Sequence, residues 1–217
     1  AWTIDDKSVT CYKWNVIKAG DASSDTVELL LDHNLPGDTL WISLEDYKAA
    51  GGTEEEYNEY GGAGNNKYGP ITALKHLKDA TDSWNGVVTL TSGDNVTRQN
   101  GSGGNYTIDY NGYKARLISG QEIAAIAGDN EWAPNGSYID GLPTWLHNNM
   151  AVSVDEEYNH EITDAYEQMM YWTDSAYDWN PFHACLVEYN GELSTYYVSY
   201  SRSYGVRPVV KIMKSNL

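Results

Sequence analysis

The 217-residue chain is poor in cysteine, in phenylalanine and in positive charge. Its two cysteines, Cys11 and Cys185, stand far apart, which excludes a dense disulfide framework and any zinc knuckle built on paired cysteines. Two free, buried thiols are expected, with a single long-range bridge as the alternative. Fourteen Lys plus Arg against 31 Asp plus Glu leave a net charge of −17, a field that repels phosphate backbones and anionic lipid. Nucleic acid and membrane surfaces are therefore excluded as partners. No run of eighteen apolar residues exists, and AWTIDDKSV does not read as a signal peptide, so no membrane insertion by this chain is expected; any leader or anchor was removed or never present.

Catalytic spacings are missing as well. His33, His76, His147, His160 and His183 are scattered, no HExxH or GxSxG occurs, and no glycine loop is spaced to cradle phosphate. The acidic run from Asp155 to Glu161 offers hard oxygen ligands but not the regular Asp-x-Asn-x-Asp-Gly spacing of a calcium loop, so it is read as a solvated acidic loop. The reading is a protein that is not an enzyme and needs no cofactor or metal. Four Asn-x-Ser/Thr sequons, at Asn95, Asn100, Asn105 and Asn135, carry no function in a chain so rich in Asn, Gly, Ser and Thr.

What is present is aromatic. Between Tyr171 and Tyr204, ten of thirty-four residues are Trp, Tyr or Phe, against 12% for the whole chain. Nearly all are Tyr or Trp, rings that bury apolar area yet keep a polar tip, interleaved with Ser, Asn, Asp and Gly, which is the composition of a recognition surface. A Tyr-rich sheet packed into a core is the alternative for the same composition.

Along the chain, residues 11–18 and 26–31 read as a hairpin, and 39–42 as a short strand. Ser43 with Asp46, Thr53 with Glu56, and Ser119 with Glu122 are spaced as capping boxes that start short helices. GGAGNN (61–66) reads as a flexible loop. Pro70 opens a helix with Ile71, Leu74 and Leu77 at helical spacing through Trp84. Strands are expected at 87–91 and at 105–110, the latter turned by Asn111-Gly112 into a hairpin ending at 118. Gly128 closes the helix after Ser119, Pro143 opens another, and 151–168 reads as loop. Asn190-Gly191 signals a hairpin between ACLVEY and ELSTYYV. Leu193 and Val198 differ in parity, which predicts a bulge or loop between them. The last strand spans 206–212 with Pro208 at an edge or bulge.

The ending Tyr204-Gly205-Val206-Arg207-Pro208-Val209-Val210, approached by Tyr171-Trp172-Thr173 and by Ala184 to Leu193, resembles the C-terminal part of bacterial proteins with the C-type-lectin-like fold of the formylglycine-generating-enzyme type. TVELLLDHN (26–34), 72–87 and 110–128 look like segments of pilin-like surface proteins from gut Firmicutes, some of them variable proteins of diversity-generating retroelements. The resemblance implies an α+β fold in which short helices surround a small twisted antiparallel sheet. It covers most of the chain, and with it 1–217 is expected to be a single domain with an added N-terminal hairpin, 171–217 being the ligand-binding region. It implies scaffold positions at Trp172, Ala184, Val187, Gly191, Leu193, Val198, Gly205, Arg207 and Pro208. Varied, ligand-facing positions would include Asp174, Tyr177, Asp178, Trp179, Asn180, His183, Glu188, Tyr189, Glu192, Ser194, Tyr196, Tyr197, Ser199, Tyr200 and Arg202. The chain lacks the Glu-Pro-Asn and Trp-Asn-Asp calcium motifs of sugar-binding C-type lectins, and the paired C-terminal cysteines of the formylglycine-generating enzymes.

The function expected is a non-enzymatic, secreted or surface-displayed ligand-binding protein, an adhesin or minor-pilin-like tip, with an unknown protein or glycan on another cell or host surface as its partner. A structural pilin-like subunit and a carbohydrate-active enzyme are the alternatives. Tyr177, Trp179, Tyr189, Tyr196, Tyr197, Tyr200 and Arg202 are expected to be exposed and to converge on one surface.

Overall fold

A computed structural model describes residues 2–4, 7–9, 13–20, 24–135, 138–148, 170–199 and 204–217. The strands are β1 (Trp2–Ile4), β2 (Lys7–Val9), β3 (Trp14–Lys18), β4 (Thr26–Leu31), β5 (Val96–Gln99), β6 (Asn105–Ile108), β7 (Arg116–Leu117), β8 (Tyr171–Ala176), β9 (His183–Val187), β10 (Leu193–Tyr197), β11 (Gly205–Val206) and β12 (Pro208–Met213). The helices are α1 (Leu44–Ala49), α2 (Glu54–Asn58), α3 (Ile71–Thr81), α4 (Gly120–Ile126) and α5 (Thr144–His147). The architecture is α+β, with short helices around small, mainly antiparallel sheets.

Two four-stranded sheets dominate, ordered β3-β4-β12-β7 and β10-β9-β8-β11. The hairpin expected at 11–18 and 26–31 forms as β3 and β4, with a register shift between Val16 and Lys18. The segment read as one last strand instead crosses from one sheet to the other. β11 pairs in parallel with β8, Arg207 turns the chain, and β12 then lies between β4 and β7. Pro208, lacking an N–H, is the first residue of β12 rather than a member of an edge strand.

The Asn190-Gly191 turn forms as read, with Gly191 at φ 86° joining β9 to β10. The bulge inferred from the parity of Leu193 and Val198 is not needed, because the sheet is covered on both faces. Leu193, Cys185 and Val187 pack into one apolar cluster with Ile118, Ile123 and Leu146. Val198, Leu186 and Trp172 pack into another with Trp41, Leu77 and Leu117. Alternate side chains therefore both find apolar partners, and a parity change costs nothing.

The caps form where they were read, with one difference. Thr53 and Ser119 complete reciprocal boxes with Glu56 and Glu122. At α1, Ser43 accepts from the Asp46 amide, but the Asp46 carboxylate is engaged elsewhere, by the Thr72 hydroxyl at 2.5 Å and by Lys75. α3 stops at Thr81, short of Trp84.

Three strand expectations fail because tertiary partners outbid local ones. β6 pairs with β5 rather than with 113–118, while β7 joins β12. The Asn111-Gly112 turn closes, with the Tyr113 amide 3.0 Å from the Tyr110 carbonyl, but leads into that other sheet. Residues 87–91 form no strand, although the Val88 and Leu90 amides donate to Lys211 and Tyr113. Thr39 makes only an isolated bridge to Tyr204. The acidic stretch 151–168 lies outside the described residues.

Candidate ligand-binding face

Buried polar anchors fix the β8–β9–β10 sheet before any face can be built on it. Trp172 Nε1 donates to the Thr39 carbonyl at 2.9 Å and Trp41 Nε1 to the Thr173 carbonyl at 3.0 Å, tying the 39–41 segment to β8. Arg207, fully buried, donates to the carbonyls of Leu31, Leu146 and Trp145 and lies 5.3 Å from the centroid of the Tyr171 ring. A buried guanidinium is costly unless its donors are satisfied; here three backbone carbonyls and an aromatic face do so at the crossing between sheets. Gly205 is required by close approach, since a Cβ there would sit 2.1 Å from the Asn34 amide nitrogen.

The loop from Tyr177 to Phe182 joins β8 to β9, and one side chain organises it. Asn66, with no exposed surface, places Nδ2 3.0, 3.0 and 2.7 Å from the carbonyls of Tyr177, Asn180 and His183. Its Oδ1 accepts from Gly101 N at 3.0 Å, and its own amide donates to the Pro181 carbonyl. Val198 N satisfies the Phe182 carbonyl at 3.0 Å. Gly101 packs so close that a Cβ would lie 1.9 Å from the Asn180 carbonyl oxygen, so only glycine fits. The GGAGNN loop, read from sequence as flexible, is thus a buried plug: residues 63–66 are all buried.

On this frame sits a run of touching rings. Tyr60 meets Phe182 at 4.4 Å between centroids, Phe182 stacks near Tyr197 at 6.0 Å, and His183 lies against Tyr197 at 4.6 Å and Tyr177 at 6.0 Å. Tyr60 is 46% exposed and Trp179, at the loop apex, 73% exposed. Burial among these rings depresses the His183 imidazole to a pKa of about 4, keeping it neutral at physiological pH, and its Nδ1 is buried with no hydrogen-bond partner. Burial likewise raises the Asp178 carboxyl, whose Oδ1 is also unpartnered.

The residues expected to converge do not do so. Tyr177, Asp178, Trp179, Asn180, His183, Tyr197 and Ser199 gather at one end of β9, since His183 pairs with Tyr197. Glu188, Tyr189 and Glu192 lie at the opposite end, beside His147, whose Nδ1 is 3.2 Å from the Tyr189 carbonyl oxygen. The five residues of β9 separate the two groups by about 15 Å at strand rise.

Asp174 is 1% exposed and meets the Arg98 guanidinium in a bidentate pair at 3.0 and 2.9 Å; burial still lifts its carboxyl above the ordinary range against the pull of that pair. Asp174 is a core ion-pair partner and not a ligand contact. Ser194 is buried at 8%. Ser199 holds the plug, donating to the Gly62 carbonyl at 3.1 Å. Tyr196 is half-buried against Tyr204 at 5.5 Å. Tyr200 and Arg202 lie outside the described residues, as does Cys11; Cys185 is free and buried, its thiol pushed far up by burial. All nine scaffold positions are buried.

Sequence reasoning missed Tyr60, Phe182, Asn66 and Gly101. Tyr60 follows a capped helix and carries no local mark of its spatial partner, and Asn66 is defined by carbonyls 111 to 117 positions away. Beside Tyr60 opens a cleft of about 340 Å³ lined by Tyr47, Glu56, Glu59, Asn65, Lys67, Gly101, Ser102 and Pro181. Among the described residues no group of three His, Cys, Asp or Glu is placed to hold a metal ion, and no helix is long and apolar enough to cross a membrane.

Neither curated proteins nor solved structures gave a match to the chain. Residues 77–214 match the family described as Domain of unknown function (DUF6273). That segment starts inside α3 and leaves out β3 and β4, which nonetheless supply half of the sheet containing β12. With well over half of its length matched, the chain belongs to the DUF6273 family.

Proposed function

We propose that this protein is a non-enzymatic ligand-binding module, secreted or displayed on a bacterial surface as an adhesin or minor-pilin-like tip, on a C-type-lectin-like variant of the α+β scaffold. Its recognition face is the Tyr60–Phe182–Tyr197 run with Tyr177, His183 and Trp179. The observation that carries this reading is the mounting of the exposed Trp179 and the half-buried Tyr177 and Phe182 on a loop whose carbonyls are bonded by the fully buried Asn66. Large aromatic area held rigidly binds with little ordering cost.

Flow cytometry of the labelled protein against a panel of epithelial and bacterial cells tests the reading. Wild type should label at least one cell type, and Trp179→Ala or Tyr60→Ala should lose that labelling about tenfold with an unchanged melt. Absence of labelling across the panel, or full labelling by a Trp179→Ala/Tyr60→Ala double variant, would refute it.

A further inference from the structure

The cleft beside Tyr60 differs from the rest of the aromatic face in its charge. Its floor and walls carry the Tyr60 ring, the Glu56 and Glu59 carboxylates and the Ser102 hydroxyl, with Lys67 as the single cation. Lys67 is already engaged, 3.2 Å from Glu56 Oε1 and 5.2 Å from the Tyr68 ring centroid. Glu56 is engaged too, closing the capping box with Thr53 and meeting Lys67. Glu59 is exposed and has no ion pair or hydrogen bond among the described residues. An unpaired carboxylate next to a half-exposed, electron-rich ring, in a concave site on a chain of net charge −17, is complementary to a cation that also has a flat or apolar stem.

We propose that this cleft seats a Lys or Arg side chain of a polypeptide partner, with the cation against the Tyr60 face and Glu59, and the Ser102 hydroxyl as a further acceptor. The proposal rests on the binding face above and names the chemistry of its partner. A cation is favoured over a neutral sugar here because it meets the Glu59 carboxylate with an ion pair as well as a hydrogen bond. The opening of about 340 Å³ has room for one long side chain.

The probes are three hexapeptides of otherwise Gly-Ser sequence with Arg, Lys or citrulline at the third position, titrated into isotopically labelled full-length protein and followed by amide shifts. The Arg and Lys peptides should shift amides of 56–60 and 101–102 and weaken several-fold on going from low to high salt. The citrulline peptide, of the same shape but neutral, should not. Glu59→Gln should weaken Arg-peptide binding about fivefold or more, and Tyr60→Ala comparably, whereas Asp79→Asn, on the exposed side of α3, should change it less than twofold. Equal binding of citrulline, shifts spread over the whole acidic surface, or equal losses in Glu59→Gln and Asp79→Asn would overturn the proposal. So would a neutral glycan that binds at Tyr60 without dependence on Glu59. Failure here is distinguishable from failure of the face: cell labelling that needs Trp179 but ignores Glu59→Gln sinks the cleft alone, and Arg-peptide docking without cell labelling sinks the face alone.

Discussion

Asn66 is the most informative residue to perturb. Truncation to Ala strands the carbonyls of Tyr177 and Asn180 and the amide of Gly101, whereas the His183 carbonyl keeps the Tyr177 amide at 3.1 Å. The loop borders solvent, so water can reach some of these groups; counting about two as uncompensated, at about 1–3 kcal/mol each, gives a loss of about 4 kcal/mol. For a domain of this size that is a fall in Tm of roughly 8–16 °C. Asn66→Asp should be worse than Asn66→Ala, although it keeps the volume, because it sets a carboxylate oxygen against three carbonyl oxygens in place of a shared N–H donor. Its deficit should shrink as pH falls and the carboxyl protonates. Thermal melts order the variants, and hydrogen exchange locates the damage: amides of 177–183 should lose protection first in both variants, with β8 and β9 following only at global unfolding. An Asn66→Asp protein at least as stable as Asn66→Ala would mean that side-chain volume, not the donor set, holds the loop.

Trp179→Ala should change stability by less than about 0.5 kcal/mol because the indole is 73% exposed, whereas Tyr196→Ala, half-buried against Tyr204, should cost about 2–3 kcal/mol; equal melts for the two would contradict their assigned roles. His183, with a pKa depressed to about 4 in the folded state from an ordinary 6.5, contributes a neutral ring whose stabilisation is whole above about pH 6.5 and is lost as pH falls toward 4. The stability difference between wild type and His183→Gln should therefore decline across that window, by about 1 kcal/mol after allowance for the partly exposed ring, and a flat or rising difference would oppose it. The Cys185 thiol, fully buried and shifted far upward, should resist iodoacetamide in the native protein at pH 8 and react on unfolding, as read by peptide mass mapping; native-state labelling at Cys185 would show that the β9 core opens.

How much the sequence determined follows from how local each signal is. Capping at Thr53 and Ser119 and the Asn190-Gly191 turn were legible because a cap or tight turn is closed by residues two to four positions apart, and the β3–β4 hairpin because two β-branched and aromatic runs flank a stretch of turn formers. Pro208 was read as an edge or bulge residue within one last strand, whereas it opens a central strand after the chain has changed sheets. The aromatic concentration also marked the segment that carries most of the candidate face. What the tertiary structure decided was pairing and exposure. β6 could pair forward across the Asn111-Gly112 turn or back to β5; it takes the second, with Tyr106 and Ile108 in the core, while β7 is taken up by β12. Leu193 and Val198 looked incompatible in one flat strand until both sheet faces proved to be covered. Asp174 looked like a surface acid until Arg98, 76 positions away, met it in the interior. The face itself is split along β9 and completed by Tyr60 and Asn66, whose partners lie more than a hundred positions on. Local chemistry fixes where the chain turns and caps; which rings end up side by side depends on contacts whose closure entropy only the assembled core repays.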